Sequence, residues 1–306
     1  MSYQNPLFLG ISPDLWKYDG FAGSAGVNIS QQILSEAALT GFEGVEIDDN
    51  GRFLDTDMLN YHLSLRNLSA AGRVTGIAAA ADNCKGIVSD FHVMLKKMVS
   101  LGMKYLVVRE MSHNIFFTGE ALLGYRAFLK RDDWLHLSNN LNELGKIASS
   151  YGIKMCFQPH ICTVIRTLEE IDQLMDTTDE RYVKLCLDTG NLFLQNAVVQ
   201  TIKKFGSRIA YVRLQDMRLK ELKGCSKRNA SFSEAVSAGC FTIPGDGEID
   251  FVELFLALDK IGYSGWVTVD AGRQSNAADS FEYLLKIYHY MQALLGFRFT
   301  NNRTEE

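Results

Sequence analysis

The sequence has little of several features that mark special classes of protein. Its 306 residues include only four prolines and six histidines. No apolar run reaches the about 18 residues that a membrane helix needs, which argues against a membrane span. Neither sign of charge dominates, because 36 acidic residues face 31 basic ones and the net charge is −5. This mildly acidic balance disfavours broad binding to nucleic acid or to an anionic membrane.

Paired cysteines and a targeting segment are also missing. None of the six cysteines forms a C-x-x-C pair, so neither a disulfide framework nor a zinc site is predicted. The opening segment MSYQNPLFLGIS has no basic region and no long apolar stretch, which is unlike a signal peptide. We therefore expect free thiols and a cytoplasmic protein.

Short apolar runs alternate with longer amphipathic stretches along the chain, within an ordinary globular composition of 47% hydrophobic and 22% charged residues. Continuous apolar runs are typical of strands that are buried on both faces of a parallel sheet. The predicted strands are 7–12, 44–48, 74–80, 104–110, 153–158, 182–188, 209–215 and 265–270. The predicted helices are 28–40, 56–71, 86–101, 131–149, 168–177, 197–205, 251–261 and 280–296.

Eight strand–helix alternations in a chain of this length predict an α/β fold, a single (β/α)8 TIM barrel that spans residues 1–306 as one domain. A doubly wound open sheet is the alternative, but the first strand–helix turn, GISPDLWKYDG, lacks the glycine pattern of that fold. Two long connections, 111–130 and 217–250, follow strands on the side where barrel enzymes build their sites. Within the second one, residues 217–243 are predicted as a possible lid.

Polar residues stand at or just after nearly every predicted strand end. They are Glu46, Glu110, Gln158, His160, Asp188, Asn191, Arg213, Asp216, Asp270 and Arg273. Because the carboxyl ends of barrel strands converge, these side chains are predicted to line one site. Glu110 and His160 are the candidate general base and acid. The alternatives are that Glu110 clamps Arg109 and that His160 is structural.

Several segments occur in an order that resembles a known group of enzymes. They are LGISPDLW (9–16), GFEGVE (41–46), LCLDTGN (185–191), YVRLQD (211–216), FTIPGDGEIDF (241–251) and GYSGWVTVDA (262–271). They resemble the xylose-isomerase-like superfamily of sugar isomerases, epimerases and dehydratases, and within it the inosose dehydratase family of inositol catabolism. The resemblance runs from residue 8 to about 296. It implies a TIM barrel, a divalent metal such as manganese or cobalt at the barrel mouth, and a polyol or keto-sugar substrate. Relatives of this kind often form homo-oligomers, which the resemblance therefore allows here.

The resemblance also implies four metal-ligand positions, and here they hold Gln158, Asp188, Arg213 and Asp270. Arginine only donates hydrogen bonds and stays protonated, so it cannot be a metal ligand. We therefore expect no metal, with the guanidinium of Arg213 lying between Asp188 and Asp270 and pairing with one of them through two hydrogen bonds. The alternative is a rotated Arg213, with manganese or another divalent ion held by the two aspartates and water.

Two functions follow from these residues. The first is an enzyme on a polyol, keto-sugar or cyclitol that removes a proton next to a carbonyl, followed by isomerisation or loss of water. Its catalytic residues would be Glu110, His160, Asp188 and Arg213, and Arg213 would stabilise the enediolate. Its substrate-binding residues would be Trp16, Glu46, Gln158, Asn191, Asp216, Asp270 and Arg273. Trp16 could offer a flat wall to a sugar face, or it could pack in the core.

The second function is a non-catalytic barrel that binds a sugar or a protein partner and has lost the metal site of its family. A third class, the metal-dependent endonucleases that share this barrel, needs several histidine ligands and a basic face. Six histidines and a net charge of −5 make that class a poor match.

Overall fold

The computed structural model describes residues 3, 5–16, 24–48, 52–53, 55–81, 85–124, 127–270 and 280–296, without the side chains of 24–28 and 85–87. Its strands are β1 (Leu7–Ile11), β2 (Gly44–Ile47), β3 (Ser69–Ile77), β4 (Tyr105–Glu110), β5 (Lys154–Phe157), β6 (Val183–Asp188), β7 (Ile209–Leu214), β8 (Asp216–Met217), β9 (Phe241–Thr242) and β10 (Gly265–Val269). Its α-helices are α1 (Ser24–Thr40), α2 (Thr56–Leu65), α3 (Lys85–Ser100), α4 (Arg131–Ser150), α5 (Leu168–Thr177), α6 (Thr189–Phe193), α7 (Val198–Phe205), α8 (Leu219–Lys227), α9 (Phe232–Ser237), α10 (Phe251–Lys260) and α11 (Ser280–Leu295).

Eight of these strands close into a parallel barrel. The order around the barrel is β1, β2, β3, β4, β5, β6, β7 and β10, which returns to β1. Every neighbouring pair is parallel, and each of the eight strands overlaps one of the predicted apolar runs. The predicted (β/α)8 TIM barrel is therefore confirmed, and the open doubly wound sheet is excluded.

The strands are apolar throughout because both of their faces are buried. One set of side chains packs inside the barrel, and the larger set packs between the strands and the surrounding helices. Side chains alternate between these two sides along a strand. Tyr211 of β7 points inward, because its hydroxyl lies 3.1 Å from Glu46 of β2, and these two strands are not neighbours in the barrel.

The predicted boundary between the second helix and the third strand is wrong. The helix was expected to run to residue 71, but α2 ends at Leu65 and β3 begins at Ser69. Asn67 has a φ of 54°, a left-handed conformation that stops a helix and that asparagine tolerates. The small residues Ala70 and Ala71 fit a helix by propensity, and burial in the barrel overrides that preference.

The long connection after β7 contains structure of its own. β8 pairs with β9 in an antiparallel hairpin that encloses α8 and α9. The loop PGDG follows, and its backbone needs glycine twice. Gly245 has a φ of 88°, and a Cβ at Gly247 would overlap the carboxylate of Asp216. Asp250 then caps α10 by accepting a hydrogen bond from the backbone N–H of Glu253.

A helix that crosses a membrane needs about 18 or more predominantly apolar residues. Among the described residues, none of the helices combines the length and the apolar character needed to cross a membrane.

Candidate active site

Strand alternation selects the side chains that surround the barrel mouth. Tyr211 packs inside the barrel with Val107, Cys156 and Cys186. Two positions further along their strands stand Arg213 on β7, Arg109 on β4, Gln158 just after β5, and Asp188 on β6. Because alternate residues share a face, these polar groups form the next layer above the apolar interior. Glu46 belongs to this layer as well, since its carboxylate accepts a hydrogen bond from the hydroxyl of Tyr211.

A cavity of about 280 Å³ opens at this layer. Its lining residues are Ser12, Pro13, Asp14, Glu46, Ile47, Asp48, Val74, Thr75, Gly76, Arg109, Met111, Phe116, Phe117 and Arg213. The lining combines the carboxylates of Asp14, Glu46 and Asp48 and the guanidinium groups of Arg109 and Arg213 with the side chains of Met111, Phe116 and Phe117. This combination suits a small ligand that has many hydroxyl groups and an apolar face.

Arg213 is the central cation of the mouth, with 1% of its surface exposed. Its Nε and Nη2 donate to the two oxygens of Glu46 at 3.1 and 2.9 Å, and Nη2 also lies 3.2 Å from Asp270. Burial opposes its charge, but the nearby carboxylates of Glu46, Asp270 and Asp188 raise the pKa of Arg213 well above its usual value. The predicted two-bond pairing therefore exists, but its partner is Glu46 rather than Asp188 or Asp270.

A second chain of contacts links three further members of the predicted site. Gln158 donates through Nε2 to Asp188, and its Oε1 accepts from the Nε of Arg109 at 2.7 Å. Asp188 also accepts from the backbone N–H of Asn191, whose own Oδ1 accepts from the backbone N–H of Ile161 at 2.9 Å. The structure thus brings Gln158, Asp188 and Asn191 together, and these contacts connect them to each other and to Arg109.

The four positions that correspond to the metal ligands of the family do not fit a divalent ion. Arg213 pairs with Asp270, and the amide of Gln158 points its NH2 group toward Asp188. A buried guanidinium repels a cation and offers no lone pair. Within the part of the chain that the structure describes, no group of three or more His, Cys, Asp or Glu residues is arranged to hold a metal. The residues present therefore form a salt-bridged cluster rather than a ligand set.

Asp270 is a buried carboxyl group of this cluster whose charge is disfavoured. Burial raises its pKa from 3.8 to about 6, and the charges of Asp14, Asp188 and Glu46 act in the same direction. Arg213 acts in the opposite direction, as expected for its partner at 3.2 Å. A carboxyl group that titrates near neutral pH can both accept and release a proton under cellular conditions.

Glu110, predicted as the general base, takes a different position. It follows Arg109 directly, so alternation turns it away from the barrel interior. Its carboxylate is fully buried and accepts hydrogen bonds from the backbone N–H groups of Ala80 and Ser112. Burial raises its pKa, but the side chain does not line the mouth cavity. Glu110 therefore secures the loops after β3 and β4.

His160, predicted as the general acid, also lies beside the cavity rather than in it. Its Nδ1 accepts from the backbone N–H of Cys162 at 3.1 Å, and its ring packs on Phe116 and Phe232 at 4.6 and 5.7 Å. Burial and the charges of Arg109 and Arg213 lower its pKa well below the usual value. The ring is consequently neutral, and these packing contacts match the structural alternative that the sequence left open.

Of the predicted substrate-binding residues, Glu46 lines the cavity. Gln158 and Asp270 contact its lining residues Arg109 and Arg213, and Asn191 contacts Asp188.

Asp216 and Trp16 lie elsewhere. Asp216 is fully buried and accepts four backbone N–H groups, those of Met217, Gly245, Gly247 and Ile249, because it organises the PGDG loop. Trp16 is 2% exposed and donates to Glu36 at 2.7 Å, so it packs in the core. Arg273 lies outside the described residues.

Sequence reasoning did not select some residues that the structure places at the mouth. Arg109 was considered only as a partner of Glu110, although counting in steps of two from the apolar Val107 would have marked it as inward-facing. Asp14 and Arg52 form an ion pair at 2.8 Å, and Arg52 also lies 3.4 Å from Asp48. Arg52 is in a connection without strand or helix periodicity, so no local pattern indicates its position.

Comparison with known proteins agrees with this architecture. The family model described as "Xylose isomerase-like TIM barrel" matches residues 34–287. The inosose dehydratase of Geobacillus thermodenitrificans is 35% identical over 298 residues, which cover 97% of this chain and 100% of that protein.

Two solved structures show the same fold at low sequence identity. The IolI protein with a bound zinc atom has a TM-score of 0.71 at 17% identity, covering 96% of this chain and 99% of that one. The D-psicose 3-epimerase of Clostridium cellulolyticum H10, solved with D-tagatose, has a TM-score of 0.70 at 18% identity, covering 94% and 99%. The predicted resemblance is confirmed, and so is the predicted class, an enzyme of the isomerase, epimerase or dehydratase type. With a family model matched over most of its length and a relative 35% identical from end to end, this chain belongs to the xylose isomerase-like TIM barrel family.

Proposed function

We propose that this protein removes a proton next to the carbonyl of a keto-sugar or keto-cyclitol and that isomerisation or loss of water follows. The observation that carries this proposal is the mouth cavity, in which carboxylates and arginines of several strands surround a space of about 280 Å³. The name of the curated relative supports an inosose, a ketone of inositol, as the first substrate to test. In an inosose or a ketose the carbonyl acidifies the proton on the adjacent carbon. That carbon also carries a hydroxyl group, so loss of the proton gives an enediolate.

Asp270 is the proposed proton acceptor, because it contacts Arg213, which lines the mouth cavity. The alternation of β10 places it on the same side as Trp266, which packs in the barrel interior. Its pKa of about 6 leaves it mostly ionised at neutral pH while still able to hold a proton. Arg213, at 3.2 Å, stabilises its ionised form and keeps its carboxylate in place.

The proposed reaction does not use a metal. The guanidinium of Arg213 lies among Glu46, Asp270 and Asp188 and supplies the positive charge that a divalent ion would otherwise bring. Arg213 contacts Glu46 and Asp270 through Nε and Nη2, so its function in this proposal is to hold their geometry and to balance their charge.

Residues 217–243 are proposed to cover the mouth, within one barrel domain. Phe232 of α9 packs against Phe116, a wall of the cavity, with ring centroids 5.3 Å apart. It also contacts Phe241 at 5.7 Å, so the segment is anchored by aromatic rings at the edge of the site. A cover of this kind would exclude water while the proton is transferred.

The experiment that tests this function uses purified protein, 2-keto-myo-inositol and a panel of ketoses in D2O. Proton NMR detects exchange of the proton beside the carbonyl, and absorbance detects an unsaturated product. We expect exchange or product formation that persists after dialysis against EDTA and that falls at least about a hundredfold in Asp270→Asn. The matched control is Glu110→Gln, a carboxylate that the structure places outside the cavity.

Two results would contradict the proposal in different ways. Ligand-induced thermal stabilisation without exchange for any compound of the panel would favour a sugar-binding barrel without catalysis. Activity that disappears with EDTA and returns with Mn²⁺ would show that the salt-bridged cluster opens to admit a metal.

A further inference from the structure

Arg109 differs from the other two arginines of the mouth in how its charge is balanced. Arg213 is bonded to Glu46 and Asp270, and Arg52 is bonded to Asp14. Among the described residues, no carboxylate lies within ion-pair distance of Arg109. Its neighbour is instead the neutral amide oxygen of Gln158, which accepts from Nε at 2.7 Å.

The guanidinium of Arg109 is nevertheless held in a defined orientation. Gln158 is itself fixed by its bond to the carboxylate of Asp188, and the ring of Phe116 lies under the guanidinium at 5.9 Å. These contacts involve the Nε edge and one face of the group. Among the described residues, the two terminal amino groups have no hydrogen-bond partner, which leaves them for a ligand in the cavity that Arg109 lines.

The surroundings favour an anion at this position. Burial and the neighbouring charge of Arg213 both disfavour the cation and lower the pKa of Arg109. The carboxylates of Asp270, Asp14 and Asp188 compensate in part, from beyond bonding distance. A negatively charged oxygen that arrives next to the guanidinium would therefore gain a charge-assisted hydrogen bond in a partly desolvated place.

We propose that Arg109 is the oxyanion-binding residue of this enzyme and that its terminal amino groups bind the two neighbouring oxygens of a cis-enediolate. This inference rests on the proposed function. When the carbon–hydrogen bond beside the carbonyl breaks, the proton passes to the carboxylate of Asp270. The electron pair forms the carbon–carbon double bond, and the former carbonyl oxygen takes the negative charge. Two adjacent coplanar oxygens match the planar fork of a guanidinium.

Oxalate is the probe for this site, because it presents two coplanar oxygens on adjacent carbons and cannot be turned over. Titration calorimetry would use EDTA-dialysed protein, so that oxalate cannot bind through a metal. We expect the wild type to bind oxalate and Arg109→Met to bind it about tenfold or more weakly. Arg109→Lys should fall between them, because it keeps the charge and loses the fork. Arg181→Met, which removes an exposed arginine, is the matched control and should bind like the wild type.

Circular dichroism on each variant ensures that only folded protein is compared, and Arg109→Lys keeps the test valid if Arg109→Met does not fold. Equal oxalate affinity in the wild type and in both Arg109 variants, or no binding by any of them, would overturn the inference.

Kinetics separates this inference from the proposed function. On a substrate that the wild type turns over, Arg109→Met should lower kcat by a larger factor than it raises KM, because the oxyanion forms only as the reaction proceeds. Turnover with unchanged kcat in Arg109→Met would reject the role of Arg109 and leave the proposed function standing. Oxalate binding that depends on Arg109, without turnover of any compound of the panel, would support the anion site and reject the proposed reaction.

Discussion

The strand ends of this barrel carry buried charged groups on two sides, and the two sides neutralise them by different means. On the outer side, the carboxylates of Glu110 and Asp216 are surrounded by backbone N–H groups. On the inner side, Glu46 and Asp270 are neutralised by the guanidinium of Arg213. Both solutions satisfy a buried charge. Of these four carboxylates, Glu46 on the inner side lines the mouth cavity, so the inner side is where we propose the chemistry.

The largest expected effect on stability is that of removing the cation of the inner side, Arg213. Arg213→Met would leave two buried carboxylates without their cation, and we expect the free energy of unfolding to fall by about 3–5 kcal/mol. Urea denaturation measures this change. The exposed pair of Arg181 and Asp179 provides the control, since Arg181→Met should lower stability by less than about 1 kcal/mol. Similar small losses in both variants would show that the inner cluster is not held together by its arginine.

A second test uses pH and the raised pKa of Asp270. The folded protein holds this proton up to a pH of about 6, whereas the unfolded chain releases it near 3.8. The contribution to stability is therefore complete below pH 3.8 and is lost as the pH rises through about 6. Relative to Asp270→Asn, the wild type should lose up to about 3 kcal/mol between these limits. Urea unfolding of both proteins across this range measures their free energies of unfolding. If the stability of the wild type relative to Asp270→Asn stays constant or rises with pH, the expectation is contradicted.

The outer side is probed at Asp216. Asp216→Asn keeps one acceptor oxygen but turns an NH2 group toward backbone donors, so we expect a loss of about 2 kcal/mol in the free energy of unfolding. Oxalate affinity should stay at the wild-type value, because Asp216 does not reach the cavity. Asp250→Asn serves as the control, since asparagine caps a helix about as well as aspartate. A large loss of ligand affinity in folded Asp216→Asn would place this carboxylate back among the binding residues.

The smallest expected effect sharpens the contrast between two adjacent residues, Arg109 and Glu110. Glu110→Gln should destabilise the protein by about 1 kcal/mol, because the backbone N–H groups of Ala80 and Ser112 lose a charged acceptor. Turnover should change by less than about threefold. Steady-state kinetics beside Arg109→Met measures the difference, and a loss of activity in Glu110→Gln comparable with that of Arg109→Met would contradict the assignment by alternation.

The sequence predicted much of the candidate site, but it did not predict where the two candidate acid–base residues, Glu110 and His160, lie relative to the cavity. Position at a strand end was sufficient to bring Glu46, Asp188, Arg213 and Asp270 into one network. It was insufficient for Glu110, because one step along a strand moves a side chain to the opposite side of the sheet. It was also insufficient for His160, whose neutral ring results from burial between Phe116 and Phe232. The residues that neighbour a polar group in the chain do not indicate whether that group is buried or which group it bonds to.

The sequence by itself determined the barrel, because eight apolar runs separated by amphipathic helices have few other ways to bury both faces of every strand. It also determined that the family's metal position holds an arginine, since a guanidinium cannot ligate a cation whatever its surroundings. Only the tertiary structure decided which carboxylates neutralise that arginine, and it selected Glu46 together with Asp270. The same is true of Arg109, the cation without a carboxylate partner among the described residues. The reason is that ion pairs at the mouth join strands that are far apart in the chain, and their distances are set by barrel closure.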